Sequence, residues 1–318
     1  MAIFKKIGKR LSKAYFKESK MTHEEWAAKK VYFPSQDISP ILGYFKIKFS
    51  PQYKLLFKLM DRPDVHTLFA KWASQSGKSL FEMLIIGYRL DNEPANVLYM
   101  QPIKDDIPKV LRLKINPVLK CIKDLWQKFE DYIATEGIRS KDAIKQLAGG
   151  SLVVSGSSVK ERKSLTVPLL VMDEIGEFDK GAVKEASERL KAFSKFFPKK
   201  IGVSTIVHPK DEICTNFENC EAIMEWRYKC PNCKDNFYPS RETFKFMTKK
   251  EFADLNNIPE NEVEKSSWKK EALKNVYIEC PHCKYQINNE EKSNLILNGG
   301  MDWFFIRGDE NAKSFGAD

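Results

Sequence analysis

The stretch Ala73-Ser74-Gln75-Ser76-Gly77-Lys78-Ser79 decides how this 318-residue sequence is interpreted. It ends as the phosphate-binding pattern G-x-x-x-x-G-K-[ST] ends, but Trp72 stands where the first glycine is expected. In such a loop, backbone N–H groups at the start of the next helix face the phosphates, and a glycine permits close approach. We therefore expect the loop to cradle the phosphates of ATP, Lys78 to reach the β- and γ-phosphates, and Ser79 to hold Mg²⁺.

The segments on either side of this loop have the required character. Residues 65–70 follow a proline and are partly β-branched, which predicts a short strand. After the loop, apolar residues recur at helical spacing from Leu80 to Tyr88, and the polar run 91–94 ends the predicted helix. A bare Gly-Lys-Ser also occurs on surfaces by chance, so the interpretation depends on this strand and helix.

A second motif is acidic and lies about a hundred residues later. Leu169-Leu170-Val171-Met172-Asp173-Glu174 is an apolar run that ends in two carboxylates and follows Pro168, as the first residues of a strand often do. At the carboxyl end of a parallel strand beside the P-loop, Asp173 is positioned to hold Mg²⁺ and Glu174 to polarise the attacking water. A buried strand that simply runs into an acidic turn is the alternative.

Strands and helices alternate through the rest of this region. Residues 95–100, 152–155 and 201–205 read as strands, and residues 119–133 and 182–196 read as helices. This order predicts an α/β fold of the ASCE-type P-loop NTPase class, with a mostly parallel sheet and helices on both faces. Ser204 and Thr205 then emerge at the same sheet edge as Asp173, where they serve either a γ-phosphate or a turn.

Four of the seven cysteines form two C-P-x-C pairs, Cys230-Pro231-Asn232-Cys233 and Cys280-Pro281-His282-Cys283. Each pair forms a tight knuckle, and two knuckles supply the four thiolates of a structural zinc site. The 46 residues between the pairs exceed the usual interval of about 15–20, so a charged, helical insert over 248–274 is expected. Two redox-active pairs or unrelated thiols are the alternatives.

Positive charge is concentrated at the start of the chain. The formal net charge is +10, and residues 1–20 carry seven basic residues against one acidic residue, a net charge of +6. Ile3, Ile7 and Leu11 fall on one helical face, so this tail reads as a basic amphipathic helix that docks on a partner, DNA or a membrane surface, or is simply solvated. With no signal peptide or apolar span, we expect a soluble, cytosolic protein that is not bound to a membrane.

The motifs together resemble a known family. Ser164-Leu165-Thr166-Val167-Pro168 leading into the acidic strand, with Gly149-Gly150 before it, looks like the large terminase subunit of tailed phages, in the lambda-like packaging ATPase group. The resemblance implies an ATP-driven motor that moves double-stranded DNA into a procapsid. It also implies three kinds of partner: a small terminase subunit, a portal ring, and further copies of the chain in a homo-oligomeric ring.

The resemblance also implies residue roles. Gln52 and Tyr53 would lie near the adenine, with the P-loop at the phosphates, Asp173 at Mg²⁺ and Glu174 as the catalytic carboxylate. Many relatives carry an arginine in the loop where this chain has Ser74, so Lys71 or Arg162 is expected to supply that phosphate contact. Arg162 is also the candidate for stabilising transition-state charge, from within the subunit or from a neighbour.

The predicted organisation has four parts. Residues 1–45 form a basic tail and lead-in, 46–222 the ATPase domain, 223–300 the zinc-binding module, and 301–318 a linker towards a nuclease domain that relatives carry. Nuclease activity is not expected from this chain alone. Another DNA-dependent ATPase of the helicase kind, or a non-catalytic zinc-ribbon protein that binds nucleic acid, are the alternative functions.

Overall fold

The computed structural model describes residues 21–36, 38–39, 41–136, 143–158 and 165–318. The predicted amphipathic tail over residues 1–20 and the candidate Arg162 lie outside these residues.

The strands of the described part are β1 (Tyr32–Phe33), β2 (Gly43–Tyr44), β3 (Thr67–Lys71), β4 (Val97–Gln101), β5 (Ile144–Leu147), β6 (Gly150–Gly156), β7 (Leu169–Asp173), β8 (Lys199–Ser204), β9 (Ala222–Lys229), β10 (Asn236–Phe237), β11 (Phe244–Lys245), β12 (Tyr277–Glu279), β13 (Gln286–Ile287), β14 (Met301–Arg307) and β15 (Ser314–Ala317).

The helices fall mostly before and between the strands of the main sheet, as the alternating pattern predicts. Residues Leu111–Ile115 form a π-helical segment, and Ile47–Phe49, Lys104–Asp106, Ile175–Glu177, Glu188–Phe196 and Glu260–Glu262 are 3₁₀ segments. The α-helices are α1 (His23–Lys30), α2 (Tyr53–Asp61), α3 (Lys78–Asn92), α4 (Ile107–Val110), α5 (Asn116–Lys120), α6 (Lys123–Glu136), α7 (Ala182–Ser187), α8 (Glu212–Glu218), α9 (Lys249–Asn256), α10 (Lys265–Lys274) and α11 (Asn289–Leu297).

A ten-stranded sheet dominates the described residues, in the order β10-β9-β15-β3-β8-β7-β4-β6-β5 with β14 also paired to β9. From β9 to β6 along this order every neighbouring pair is parallel, while β5, β10 and β14 run antiparallel to their partners. The mostly parallel α/β sheet is therefore confirmed. The acidic strand β7 does not lie directly beside the P-loop strand β3, because β8 separates them.

Helices cover both faces of this sheet, as predicted. Along β7, Leu169 and Val171 belong to one buried cluster, and Leu170 and Met172 belong to the other. Successive strand residues point to opposite faces, so a strand buried on both faces is apolar throughout. The first cluster includes residues of α1, α2, α3 and α6, and the second includes residues of α7 and α8.

The segment before the P-loop is part of this core. Helix α1 begins with a capping box in which Thr22 and Glu25 satisfy each other's backbone N–H groups. Trp26 is fully buried, and its Nε1 donates to Asp91 Oδ2 at 2.8 Å. The described part of the predicted lead-in therefore packs against helix α3 and stabilises it.

The linker predicted for residues 301–318 is replaced by two strands of the main sheet. Strand β14 pairs antiparallel with β9, and β15 inserts in parallel between β9 and β3. Phe315 and Ala317 are fully buried, so burial of apolar side chains holds β15 in the sheet. The sequence does not indicate β15 as a strand, because the strand is short and follows a polar turn.

The cysteine-containing module projects from the end of strands β9 and β14. A three-stranded sheet, β11-β12-β13, joins its parts, and helices α9 and α10 form the insert between the two knuckles. Its own small core consists of buried residues near the knuckles: Tyr228, Cys230, Phe237, Ile278, Cys280, Ile287 and Met301. Among the described residues, no helix combines the length and apolar character that crossing a bilayer requires.

Candidate nucleotide-binding site and cysteine cluster

The loop between β3 and α3 has the backbone of a phosphate-binding turn. Gln75 and Gly77 have positive φ values of 60° and 92°, and Ser76 Oγ donates to Ala73 O at 2.7 Å. Helix α3 then begins at Lys78 and runs for 15 residues. The N–H groups of its first turn have no intrahelical acceptors and carry the positive end of the helix dipole, which together favour an anion at this point.

Gly77 is required by its surroundings as well as by its φ value. A Cβ atom at this position would lie 2.3 Å from Tyr53 Oη, which donates to Gly77 O at 2.5 Å. Gln52 Nε2 also contacts Ser76 O, at 3.5 Å. Gln52 and Tyr53, at the start of α2, therefore hold the backbone of the loop in this shape through contacts with Ser76 O and Gly77 O.

Tyr53, which the family resemblance places near the adenine, is enclosed by other aromatic side chains. Its ring is fully buried, stacked on Trp72 at a centroid distance of 6.1 Å and packed against Phe57 and Phe81. Burial raises the pKa of the Tyr53 hydroxyl far above its usual range, so the group stays a neutral donor to Gly77. A ring so enclosed supports the loop and is inaccessible to an adenine base, whereas Gln52 is partly exposed.

Trp72 stands at the expected first glycine because the backbone there does not need one. Among the described loop residues, only Gln75 and Gly77 have positive φ. The Trp72 N–H donates to Ser204 O at 3.0 Å, which extends the pairing of β3 with β8, and its ring is 7% exposed. The tryptophan therefore belongs to the core beneath the loop.

Restoring the missing glycine is expected to weaken the protein. Trp72→Gly removes a buried indole from the cluster with Tyr53 and Phe81, and we expect the free energy of unfolding to fall by about 4 kcal/mol. Phe196→Ala is a matched aromatic control, since Phe196 is 68% exposed, and a change within about 0.5 kcal/mol is expected there. Urea denaturation measures both; equal losses would contradict the role assigned to Trp72.

Two lysines flank the loop, and the structure distinguishes them. Lys78 Nζ donates to Trp72 O at 3.3 Å, and burial lowers the Lys78 pKa, while the carboxylates of Asp173 and Glu174 act in the opposite direction. Lys71 points away from the loop: its Nζ lies 3.1 Å from Asp318 Oδ2 and 3.9 Å from the centroid of the Phe217 ring. Lys71 is therefore engaged by Asp318, which follows strand β15, and by Phe217 of helix α8.

The two carboxylates that end β7 occupy different environments. Asp173 is buried, and its Oδ2 accepts from Tyr99 Oη at 2.9 Å and is in close contact with Lys114 Nζ. Glu174 is exposed and has φ 51°, an unusual value for a residue other than glycine. Backbone strain of this kind is concentrated at functional sites.

Ser204 ends strand β8, between β3 and β7, at the predicted sheet edge. Its buried hydroxyl accepts from Gly176 N at 3.0 Å and donates to Thr205 O at 2.7 Å. The contact with Gly176 ties the end of β8 to the turn that carries Glu174, so Ser204 is used as a turn hydroxyl. Thr205 is partly exposed at the same edge.

Three residues of this site do not follow from the sequence motifs. Tyr99 on β4 and Lys114 on the π-helical segment both contact Asp173, and Glu82 on α3 lies 3.3 Å from Lys114 Nζ. Glu82 is one helical turn beyond Lys78, on the same face, and this spacing is the one available sequence signal. Lys114 carries no such signal, because it depends on how the segment after β4 folds back.

The four predicted cysteines are brought together in the second candidate site. Cys230 Sγ lies 3.7 Å from Cys283 Sγ, Cys233 Sγ lies 3.8 Å from Cys280 Sγ, and all four sulfur atoms are within 4.8 Å of one another. The knuckles match in backbone detail: the Lys234 N–H donates to Cys230 O, and the Lys284 N–H donates to Cys280 O. All seven cysteines are free thiols.

This geometry has a simple interpretation. A tetrahedron with metal–sulfur bonds of about 2.3 Å has sulfur–sulfur edges of about 3.8 Å, whereas a disulfide requires about 2.05 Å. The two cross-knuckle distances match the tetrahedral edge. The donor set and spacing fit a four-coordinate metal site better than a redox pair.

Comparisons with known proteins identify a family and several similar structures. Residues 39–303 match the family model described as phage terminase large subunit gpA, ATPase domain. Comparison with curated proteins gives no match. Three similar solved structures are the bacteriophage HK97 large terminase, the Thermus phage P74-26 large terminase ATPase domain and the N-terminal domain of the bacteriophage phi29 DNA packaging ATPase. Their sequence identities to this chain are 14%, 15% and 16%, and their TM-scores are 0.47, 0.34 and 0.37, in that order. The matches cover 62%, 48% and 55% of this chain and 40%, 69% and 85% of the respective structures.

The coverage of these matches differs. The similar region makes up 40% of the HK97 terminase chain, so the activity of a whole terminase does not transfer directly. The family model, in contrast, spans most of the 318 residues, including the P-loop, the acidic strand and both cysteine knuckles. The chain therefore belongs to the family of the phage terminase large subunit gpA ATPase domain.

Proposed function

We propose that this chain is the ATP-hydrolysing motor portion of a phage terminase, which couples hydrolysis to translocation of double-stranded DNA into a procapsid. One observation carries the proposal: Lys78 follows the loop at the end of β3, Asp173 and Glu174 end the parallel strand β7, and both carboxylates act on the Lys78 ammonium group. Membership of the terminase ATPase family supports the same reaction.

In this proposal the chain's own groups hold the phosphates. The loop over Ser74, Gln75, Ser76 and Gly77 offers backbone N–H groups, and Lys78 supplies a mobile positive charge for the β- and γ-phosphates. Lowering of the Lys78 pKa by burial reflects incomplete hydration of the ammonium group, so a bound phosphate would compensate a partly dehydrated charge. Because Tyr53 and Gln52 already hold the loop backbone in place, the loop would need little further ordering when the phosphates bind.

Asp173 and Ser79 are the proposed Mg²⁺ ligands. Carboxylate and hydroxyl oxygens suit this hard cation, and the Lys114 ammonium against Asp173 shows that the site already accommodates positive charge. When bound, the ion would neutralise charge that develops on the phosphates. Tyr99 holds the Asp173 carboxylate in place through a 2.9 Å hydrogen bond.

Glu174 is the proposed catalytic carboxylate. It is exposed beside the phosphate loop and can accept a proton from an attacking water, whereas Asp173 is buried and already bound by Tyr99 and Lys114. Ser204 acts as a positioning residue, because its hydroxyl accepts from Gly176 N in the turn on which Glu174 lies.

We propose that the cysteine cluster binds one structural Zn²⁺ through Cys230, Cys233, Cys280 and Cys283. Four protein ligands leave no open coordination position, so the ion would stabilise the module over residues 223–300 and would not take part in hydrolysis. The sulfur–sulfur distances of 3.7 and 3.8 Å support this assignment.

The proposed partners follow from family membership alone. They are double-stranded DNA, a small terminase subunit, a portal ring and further copies of this chain in a ring, all acting in the cytoplasm of a bacterial host. Roles for Arg162 at the transition state and for Thr205 near the γ-phosphate also remain part of the proposal.

Loss of the P-loop lysine is the direct test of this function. We expect Lys78→Ala to reduce DNA-stimulated ATP hydrolysis by about 10²-fold or more, because a charge aimed at the phosphates is removed. Lys71→Ala is the matched control, and it should retain most activity because Lys71 is held by Asp318 and Phe217. Phosphate release with double-stranded DNA present measures both variants. A wild type without DNA-dependent hydrolysis, or equal rates for wild type and Lys78→Ala, would contradict the motor assignment.

A further inference from the structure

A fully buried carboxyl group lies behind the proposed metal site. Glu82 on helix α3 is 0% exposed, and neither of its carboxyl oxygens has a hydrogen-bond partner among the described residues. Its nearest opposite charge is Lys114 Nζ, 3.3 Å from Oε2. Packing alone does not explain such a costly group in the core.

Lys114 lies between this carboxyl group and the acidic strand. Its Nζ closely contacts Asp173 Oδ2, lies 3.3 Å from Glu82 Oε2, and is 5.8 Å from the centroid of the Tyr99 ring. The lysine side chain is 20% exposed. A flexible four-carbon chain in this position can bring its ammonium group to either carboxylate with little backbone movement.

The backbone that carries Lys114 is unusual as well. Leu111–Ile115 is π-helical, and Pro117, which has no N–H group to donate back along the helix, follows it. π-Helical turns inside α-helices are frequent at functional sites. This local widening of the helix directs Lys114 towards β7.

We propose that Lys114 is a positioning residue of the metal site, which neutralises Asp173 when no metal ion is bound and transfers to Glu82 when a divalent cation binds at Asp173. The inference rests on the proposed function, in which Asp173 is a metal ligand. Two cations at one carboxylate repel each other, so Lys114 must leave Asp173 as the metal ion arrives. Glu82 is the carboxylate that receives it, and this role explains a buried carboxyl group without a hydrogen-bond partner.

The two residues then have opposite effects on metal affinity. Lys114→Met removes a competing cation, so the apparent Kd for a divalent cation should fall by about fivefold or more. Glu82→Gln removes the receiving charge and leaves Lys114 on Asp173, so the Kd should rise by a similar factor. In a Lys114→Met background, Glu82→Gln should have almost no further effect, because Glu82 acts through Lys114.

The experiment is titration of the full chain with Mn²⁺ in saturating ADP, with free Mn²⁺ followed by electron paramagnetic resonance. The same titration of ADP alone is subtracted, because ADP itself binds Mn²⁺. Lys114→Arg keeps the positive charge, so its Kd for Mn²⁺ should be close to that of the wild type, unlike the Kd of Lys114→Met. Lys109→Met, an exposed lysine of the same region, is the matched control and should change nothing. Circular dichroism checks folding, and Lys114→Gln replaces Lys114→Met if the latter is unfolded.

The outcomes separate this inference from the function on which it rests. If the wild type binds Mn²⁺ and Asp173→Asn loses it, while Lys114→Met leaves the Kd unchanged or raises it, the Lys114 role is overturned and the metal site stands. An additional effect of Glu82→Gln in the Lys114→Met background would likewise overturn it, because Glu82 would then contact the metal ion itself. A wild type that binds no Mn²⁺·ADP overturns both.

Discussion

Substitution of Glu174 by Gln is expected to abolish ATP hydrolysis and to leave ATP binding nearly unchanged. Gln has the same shape but cannot accept the proton of an attacking water, so the rate constant for hydrolysis should fall by about 10²- to 10⁴-fold. The phosphate loop, Lys78 and Asp173 are untouched by this change, so the Kd for ATP should change little. Single-turnover hydrolysis with double-stranded DNA and equilibrium binding of a fluorescent ATP analogue measure the two quantities.

The structure favours Glu174 over its neighbour for this role. Asp173 is buried and bound by Tyr99 and Lys114, while Glu174 is exposed on a strained turn held by Ser204. Glu177→Gln is the matched control, since Glu177 is exposed three residues later and should retain normal hydrolysis. Hydrolysis at the wild-type rate in Glu174→Gln would remove this residue from the mechanism.

The parts of the site that the sequence predicts are those built from local pattern. Apolar runs before the P-loop and before Asp173 predict β3 and β7, since a strand buried on both faces must be apolar throughout. The sheet edge shared by Asp173 and Ser204 follows from strand direction alone. These predictions require no knowledge of which strands are neighbours.

The strand order and the placement of Lys114 depend on contacts between segments that are far apart in sequence. That β8 lies between β3 and β7, and that β15 enters the sheet beside β3, is decided by packing of strands far apart in sequence. Lys114 reaches Asp173 across 59 residues of sequence by way of a π-helical segment, which no periodicity reveals. Long-range placement of this kind has no local signature.

Tyr53 illustrates a limit on transferring a residue's role from a family to one of its members. The resemblance to a family transfers a residue position, but the contact that the residue makes depends on the surrounding side chains of this chain. Here Trp72 and Phe81 enclose the Tyr53 ring, and its hydroxyl supports Gly77. The tryptophan that replaces the first glycine of the loop therefore also helps to decide what Tyr53 does.

Loss of one cysteine of the proposed zinc site is expected to unfold the cysteine module and to leave the ATPase sheet folded. Wild-type chain should contain about one zinc ion, and Cys230→Ser should lose nearly all of it, because structural sites of this type need four thiolates. The seven-residue core of the module is too small to hold two knuckles that are 46 residues apart without the metal ion. Metal analysis and limited proteolysis within residues 231–300 measure the two effects.

The control and the boundaries of this effect follow from the topology. Cys214→Ser removes a thiol of helix α8, outside the cluster, and should keep a full complement of zinc. Strands β9 and β14 are shared between the module and the main sheet, and Trp303 Nε1 on β14 donates to Gln52 O at 2.8 Å, beside the phosphate loop. Protease cuts should therefore stop near Met301. Zinc retained in Cys230→Ser would contradict the four-cysteine site, and cuts spreading through β14 would mean that the metal ion also supports the nucleotide loop.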